Sequence, residues 1–295
     1  MDDVQRARRG LYVFFAVLIP LTAIAEWAII RRVAFLDSPS RVFLLMWCPA
    51  VASFVARLAL REGWADLSFR LGGRAGLKAV LAAWSLPIGV GLLAYGGAWA
   101  LGLASFEPPA HASFMLPGGA RQVATPGAPG GRMALQLGLH VTLGFVLHLP
   151  WVMGEELGWR GYLAPRLLDA RVPGALVLTG LVWSLWHLPL LMRAESWGMT
   201  ALLFTGALVP LGVVMARLQL ESGSMWPPIV LHGIWNEVHG ALLAASNPPD
   251  SPWLGETGFL VLAANLLLLA PWMIGRWNAR RAPGKVPYAS VGSLS

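Results

Sequence analysis

Long apolar stretches separated by short polar ones run the length of the chain. They fall at 11–30, 42–60, 79–101, 134–153, 174–192, 199–217, 225–245 and 257–275. Each is close to the roughly 20 residues that an α-helix needs to cross a hydrocarbon core. Backbone in lipid must satisfy its own hydrogen bonds, so the pattern predicts an all-α polytopic membrane bundle of about eight transmembrane helices. The first stretch follows Arg6, Arg8 and Arg9, and Ala23-Ile24-Ala25 resembles a signal-peptide cleavage site. Its apolar run is about twice that of a signal-peptide core and further spans follow, so it reads as a retained helix. Between spans, Pro108, Pro109, Pro117, Pro126 and Pro129 predict a flexible loop over 106–132. Residues 61–76 mix Trp64, Leu67, Phe69 and Leu71 with Arg61, Arg70 and Arg74, the pattern of a short interfacial helix. No repeat or second domain is evident. Residues 1–279 read as one membrane domain and 280–295 as a disordered cytoplasmic tail.

Composition agrees. Of 295 residues 56% are hydrophobic and only 13% charged, against roughly 25% charged in a soluble domain. That excludes a soluble globular or disordered chain. The net charge of +7 comes from 22 basic residues. With the amino terminus inside, 15 of those 22 fall on the inner side, six in outer loops and Arg57 within a span. This bias predicts that both termini are cytoplasmic, in a multi-pass protein of the inner cell membrane with anionic lipids as partners. No interleaving of basic and aromatic residues suggests nucleic acid. The single Cys48 excludes an intrachain disulfide and a cysteine-based structural zinc site.

Ionisable groups inside a crossing are costly and face the bundle interior. Three clusters carry most of them: Glu155-Glu156 with Arg160 after the fourth span, Trp183 with His187 in the fifth, and His232 with Asn236 in the seventh. At about 100° per residue, Glu156 and Arg160 lie within about 40° of each other, whereas Glu155 is about 140° away from Arg160. Glu156 is therefore the ion-pair partner, and Glu155 is free to act as a general base. His232, Asn236 and His239 fall on one face. His111, His140 and His148 read as interhelical hydrogen-bonding residues, Glu26 and Arg57 as residues near an interface, and Glu237 and His239 as support. By its position Glu155 lies near the membrane edge, with Pro150 and Gly154 as points where the helix could be shifted inward.

The ordered set Glu-Glu-x-x-x-Arg, aromatic-x-x-x-His and His-x-x-x-Asn, each in an apolar helix, resembles the CPBP family of intramembrane proteases. That family includes the type II CAAX prenyl endopeptidases and relatives named for lysostaphin resistance. The motifs cover about 155–236. The resemblance implies an endopeptidase in which Glu155 activates the attacking water and His187 and His232 orient it or the substrate carbonyl. Asn236 contributes to an oxyanion hole, and Glu156, Arg160 and Trp183 support the site. The family's second motif usually opens with phenylalanine, where this chain has Trp183. Implied partners are a peptide or membrane-protein substrate, lipidated or not, and membrane lipids; the oligomeric state is open. Glu155, His187 and His232 could hold zinc, although the expectation is a glutamate-activated water with no obligatory cofactor. The His-Glu-x-x-His signature is absent. The alternative is a non-catalytic transporter or immunity-type binding protein using the same polar cavity.

Overall fold

The computed structural model describes residues 3–31, 39–116, 119–192, 197–249 and 251–274. Eight helical rods form the described part of the molecule. They are α1 (Asp3–Ile30), α2 (Pro39–Leu60), α3 (Gly73–Ala100), a long composite rod (Pro129–Asp169), α7 (Ala175–Leu191), α8 (Trp197–Ser222), α9 (Trp226–Ala244) and α10 (Phe259–Ile274). Five of them are long and apolar enough to cross a membrane, and α7 and α10 are shorter apolar helices. Burial confirms an inside-out design. Leu58, Leu202 and Leu267 are each about two-thirds exposed on the outer surface, while Glu155, Glu156 and Arg160 are sealed within.

The composite rod corrects the predicted fourth span. Instead of ending near 153, it runs as α4 (Pro129–Leu139), a π turn (His140–Gly144), α5 (Phe145–Gly158), a second π turn (Trp159–Leu163) and α6 (Ala164–Asp169). Glu155 therefore lies 14 residues, about 21 Å of helix, before the rod's end. Glycines set how closely the rod's neighbours approach. A Cβ on Gly154 would meet the Met46 carbonyl and the Trp47 ring, and one on Gly158 would collide with Pro49. This pair of small residues one turn apart seats α5 directly on α2, so the neighbouring glutamates face elsewhere. Gly180 and Gly212 do the same for α7 and α8: a Cβ on either would press on the other helix's backbone.

Two segments depart from expectation. Within 106–132, strands β2 (His111–Leu116) and β3 (Gly119–Ala124) form an antiparallel hairpin, with Ala112 and Phe114 buried. The short strand β1 (Ser105–Phe106) pairs with β4 (Ser246–Asn247). Alternation of inward and outward residues along His111–Leu116 overrides the proline and glycine content. Residues 61–72 contain no helix; Arg61, Gly63 and Gly72 adopt positive φ, which breaks helical continuity.

In place of that helix, 61–72 forms a charged latch. Arg57, far from reaching solvent, is buried. Its Nη1 donates to Asp66 Oδ1 at 2.6 Å and its Nη2 to the Gly161 carbonyl at 2.8 Å. Arg166 Nη2 donates to Glu62 Oε2 at 2.8 Å and to Asp66 Oδ2 at 3.2 Å. Burial raises the Asp66 carboxyl, but Arg57 and then Arg166 outweigh it and hold the group below its ordinary 3.8. These contacts allow the rod to continue through Arg160 and Arg166. Glu26 is likewise buried, in α1. The predicted tail, 280–295, lies outside the described residues.

Candidate active site

Hydrogen bonds and ring contacts link the predicted residues of three helices. Glu155, only 1% exposed, accepts hydrogen bonds at Oε2 from Trp183 Nε1 of α7 at 2.7 Å and from Trp159 Nε1 at 3.3 Å. Its Oε1 has no hydrogen-bond partner among the described residues. Trp183 thus supplies a donor that a phenylalanine could not. The indole ring also lies under the Arg160 guanidinium, 4.2 Å from its centroid.

Glu156 is bound as the helical angles predict and also does more. Its Oε1 accepts from Arg160 Nη1 at 2.8 Å and meets His232 Nδ1 of α9 at 2.8 Å. The supporting carboxylate therefore orients the imidazole directly. With Nδ1–H donating to Glu156, the His232 Nε2 lone pair is left for a ligand; this tautomer follows from the partner. His187 is held in the same manner, Nδ1 donating to the Trp183 carbonyl at 2.9 Å. The His232 and Trp183 rings are 5.2 Å apart, and those of His187 and Trp183 5.9 Å. Gly233 keeps α9 close, since a Cβ there would meet the Phe145 ring at 2.7 Å.

Asn236, one turn beyond His232, lines a cavity of about 570 Å³ roofed by the β2–β3 hairpin. His239 does not share that cavity. Its ring stacks on Trp235 at 3.9 Å, and Tyr95 donates to its backbone carbonyl. A helix face of 60° is wide enough for its two edges to meet different neighbours.

The interhelical hydrogen bonds read for His140 and His148 are met by Glu237 of α9, whereas Glu256 was not foreseen. His140 Nδ1 and His148 Nδ1 contact the two oxygens of Glu237, at 2.6 and 3.0 Å, inside the cavity. Gly144 makes this possible, because a Cβ on it would collide with the Glu237 carboxylate. Glu256, from the loop after α9, reaches back into the bundle to accept from Trp235 Nε1 at 2.6 Å, within electrostatic range of His187 and Glu155. Nothing local in the sequence marks that return.

Hydrogen bonds among the described residues leave both Nε2 atoms and Glu155 Oε1 open at the three residues that could hold zinc. The Nδ1 atoms of His187 and His232 and one oxygen of Glu155 are engaged by protein groups. Among the described residues no three His, Cys, Asp or Glu side chains are arranged to hold an ion.

Residues 137–238 match the family model described as type II CAAX prenyl endopeptidase Rce1-like. A curated relative, CAAX prenyl protease 2 of Methanococcus maripaludis, is 31% identical over 125 residues, which take in 39% of this chain and 45% of the relative. The chain thus spans less than half the length of the curated relative it matches. The resemblance to the CPBP family read from the motifs is borne out over this region.

Proposed function

We propose, starting from a CPBP-like region that contains every residue of the cluster, that this multi-pass membrane protein is an intramembrane endopeptidase. The observation that carries the reading is the convergence of Glu155, Trp183 with His187, and His232 from α5, α7 and α9 beside a cavity that Asn236 lines. The substrate is a peptide or membrane protein, lipidated or not. The protein sits in the inner cell membrane with both termini cytoplasmic, in keeping with its basic residues.

In this mechanism Glu155 Oε1 takes one proton from water while the water's other O–H donates to the Nε2 lone pair of His187 or His232, which orients it. The water oxygen bonds to the scissile carbonyl carbon, and the Asn236 amide donates to the oxyanion that develops. The C–N bond then breaks, and the proton on Glu155 passes to the leaving amine. Trp183 and Trp159 fix the carboxylate through its other oxygen, and Glu156 fixes His232. No step uses a metal.

Purified protein in detergent is expected to cleave a membrane-tethered peptide. Glu155→Gln should lower the rate about 10²–10⁴-fold with unchanged thermal unfolding, and His187→Ala should also abolish cleavage. Full activity in both variants would overturn the assignment. Hydrolysis should survive exhaustive chelation; activity lost on chelation and restored only by zinc would overturn the metal-free step.

A further inference from the structure

One buried tryptophan beside the proposed site has no part in the mechanism above. Trp186 directly precedes His187 in α7 and lies about 100° round the helix from it, off the face that Trp183 and His187 share. It is buried, and an indole N–H sealed among apolar side chains needs an acceptor. Thr22 of α1, buried as well, supplies one: Trp186 Nε1 donates to Thr22 Oγ1 at 2.8 Å. The bond joins residues 164 positions apart, so it ties α7 to the first helix of the chain.

The anchored ring touches both halves of the site. It stands at 89° to the His187 imidazole with centroids 4.8 Å apart, and at 71° to the Trp159 indole at 5.6 Å. Both are the edge-to-face arrangement that the aromatic quadrupole favours. Trp159 is the second donor to Glu155 Oε2, and Phe14 of α1 also meets it edge-on at 6.1 Å. His187 is held at Nδ1 by the Trp183 carbonyl of its own helix, a single hinge about which the ring can tilt. Trp186 and Phe204 of α8, the latter at 5.4 Å, limit that tilt. Phe204 contributes packing alone, whereas Trp186 is fixed in direction by its bond to α1.

We propose that Trp186 is a positioning residue for the reaction: pinned to α1 through Thr22, it sets the tilt of His187 and, through Trp159, the seat of Glu155. Its place in catalysis rests on the endopeptidase reading, but the brace itself can be tested apart from it. Trp186 and Thr22 act only through their neighbours and take no part in bond cleavage. The brace brings α1, which lies outside the matched residues 137–238, into the working site.

The test uses the full chain in detergent, with a membrane-tethered peptide as substrate and isotope-labelled histidine for NMR. The His187 signal is assigned by its loss in His187→Gln. Thr22→Val removes the acceptor and keeps the side chain's shape, and Trp186→Phe removes the donor and keeps a ring. Each should lower kcat about three- to tenfold, the usual worth of a neutral hydrogen bond, and leave KM within about twofold. Thr22→Val alters no ring, so a shifted His187 signal in it reports movement of the imidazole; Thr22→Ala serves if that variant does not fold. Thr22→Ser should restore both kcat and the signal. Because the two single variants break one bond, the double variant should be about as slow as the slower single. A His187 signal unmoved in Thr22→Val would overturn the proposal, as would wild-type kcat in both single variants. Single effects that multiply in the double variant, or an equal loss in Thr22→Ser, would also overturn it. A signal that moves in Thr22→Val and returns in Thr22→Ser, in a protein without any hydrolysis, would support the brace and count against the endopeptidase reading.

Discussion

Two charged clusters occupy the same composite rod about two turns apart, and they are built on opposite principles. In the latch, Arg57 and Arg166 share Asp66, and Arg166 also holds Glu62, so the acidic groups there are drawn into a mutual network with the loop 61–72. In the central cluster, Glu155 Oε1 carries no hydrogen bond from a described residue, and Glu156 Oε2 and Arg160 Nε and Nη2 are buried without described partners. In the latch both Asp66 oxygens accept from arginine, although Arg57 Nε is buried without a described partner. Charge left with open valences, in a place where burying it is costly, is what an enzyme keeps for water and substrate.

The contrast can be broken first at Arg160. Removing it as Arg160→Met leaves Glu156 as an uncompensated buried charge, which is expected to cost about 3–5 kcal/mol, read as a lowered unfolding midpoint in detergent. Arg166→Met is expected to cost less, about 1.5–3 kcal/mol, because Arg57 still holds Asp66. Equal losses in the two variants would erase the distinction between the clusters. Trp183→Phe removes the nearer donor to Glu155 but leaves Trp159. Loss of about 1.5 kcal/mol of charged hydrogen bond predicts roughly tenfold lower kcat with little change in KM. A variant as active as wild type would show that the second indole is enough.

The smallest effect concerns acid. Asp66 has its carboxyl below the ordinary 3.8, so its contribution to stability is fully present above the unfolded value. It is lost only as pH falls through the lower folded value. Hydrogen exchange of residues 61–72 should therefore stay slow at pH 4 and quicken below it. Asp66→Asn should show the faster exchange already at neutral pH. Unchanged exchange in that variant would remove Asp66 from the latch.

Much of this was legible beforehand. The eight apolar runs correspond to the eight rods because crossing length and backbone satisfaction are local demands. That Glu156 and not Glu155 pairs with Arg160 was readable from helical angles, since both glutamates sit in one helix. Depth was not readable. The stretch Gly158–Asp169 breaks the apolar run, and it stays helical because Glu62 and Asp66, about 100 residues earlier, receive Arg166 and Arg57 donates to the Gly161 carbonyl. The cavity cluster escaped notice for the same reason: Glu237 lies 97 and 89 residues from its two histidines. The hairpin over 111–124 did leave a trace, an alternation of residues that proline content concealed.

The wide turn at Trp159–Leu163 separates these two regions, and it acts as a phase shifter in the rod. Deleting one residue there would remove the extra residue of the wide turn and restore ordinary α pitch with the downstream phase nearly kept. Deleting one residue from the regular helix on either side of it would instead swing everything downstream by about 100°, so that Arg166 would point away from Glu62 and Asp66. Single-residue deletions within 159–163 should therefore be better tolerated than deletions within 155–158.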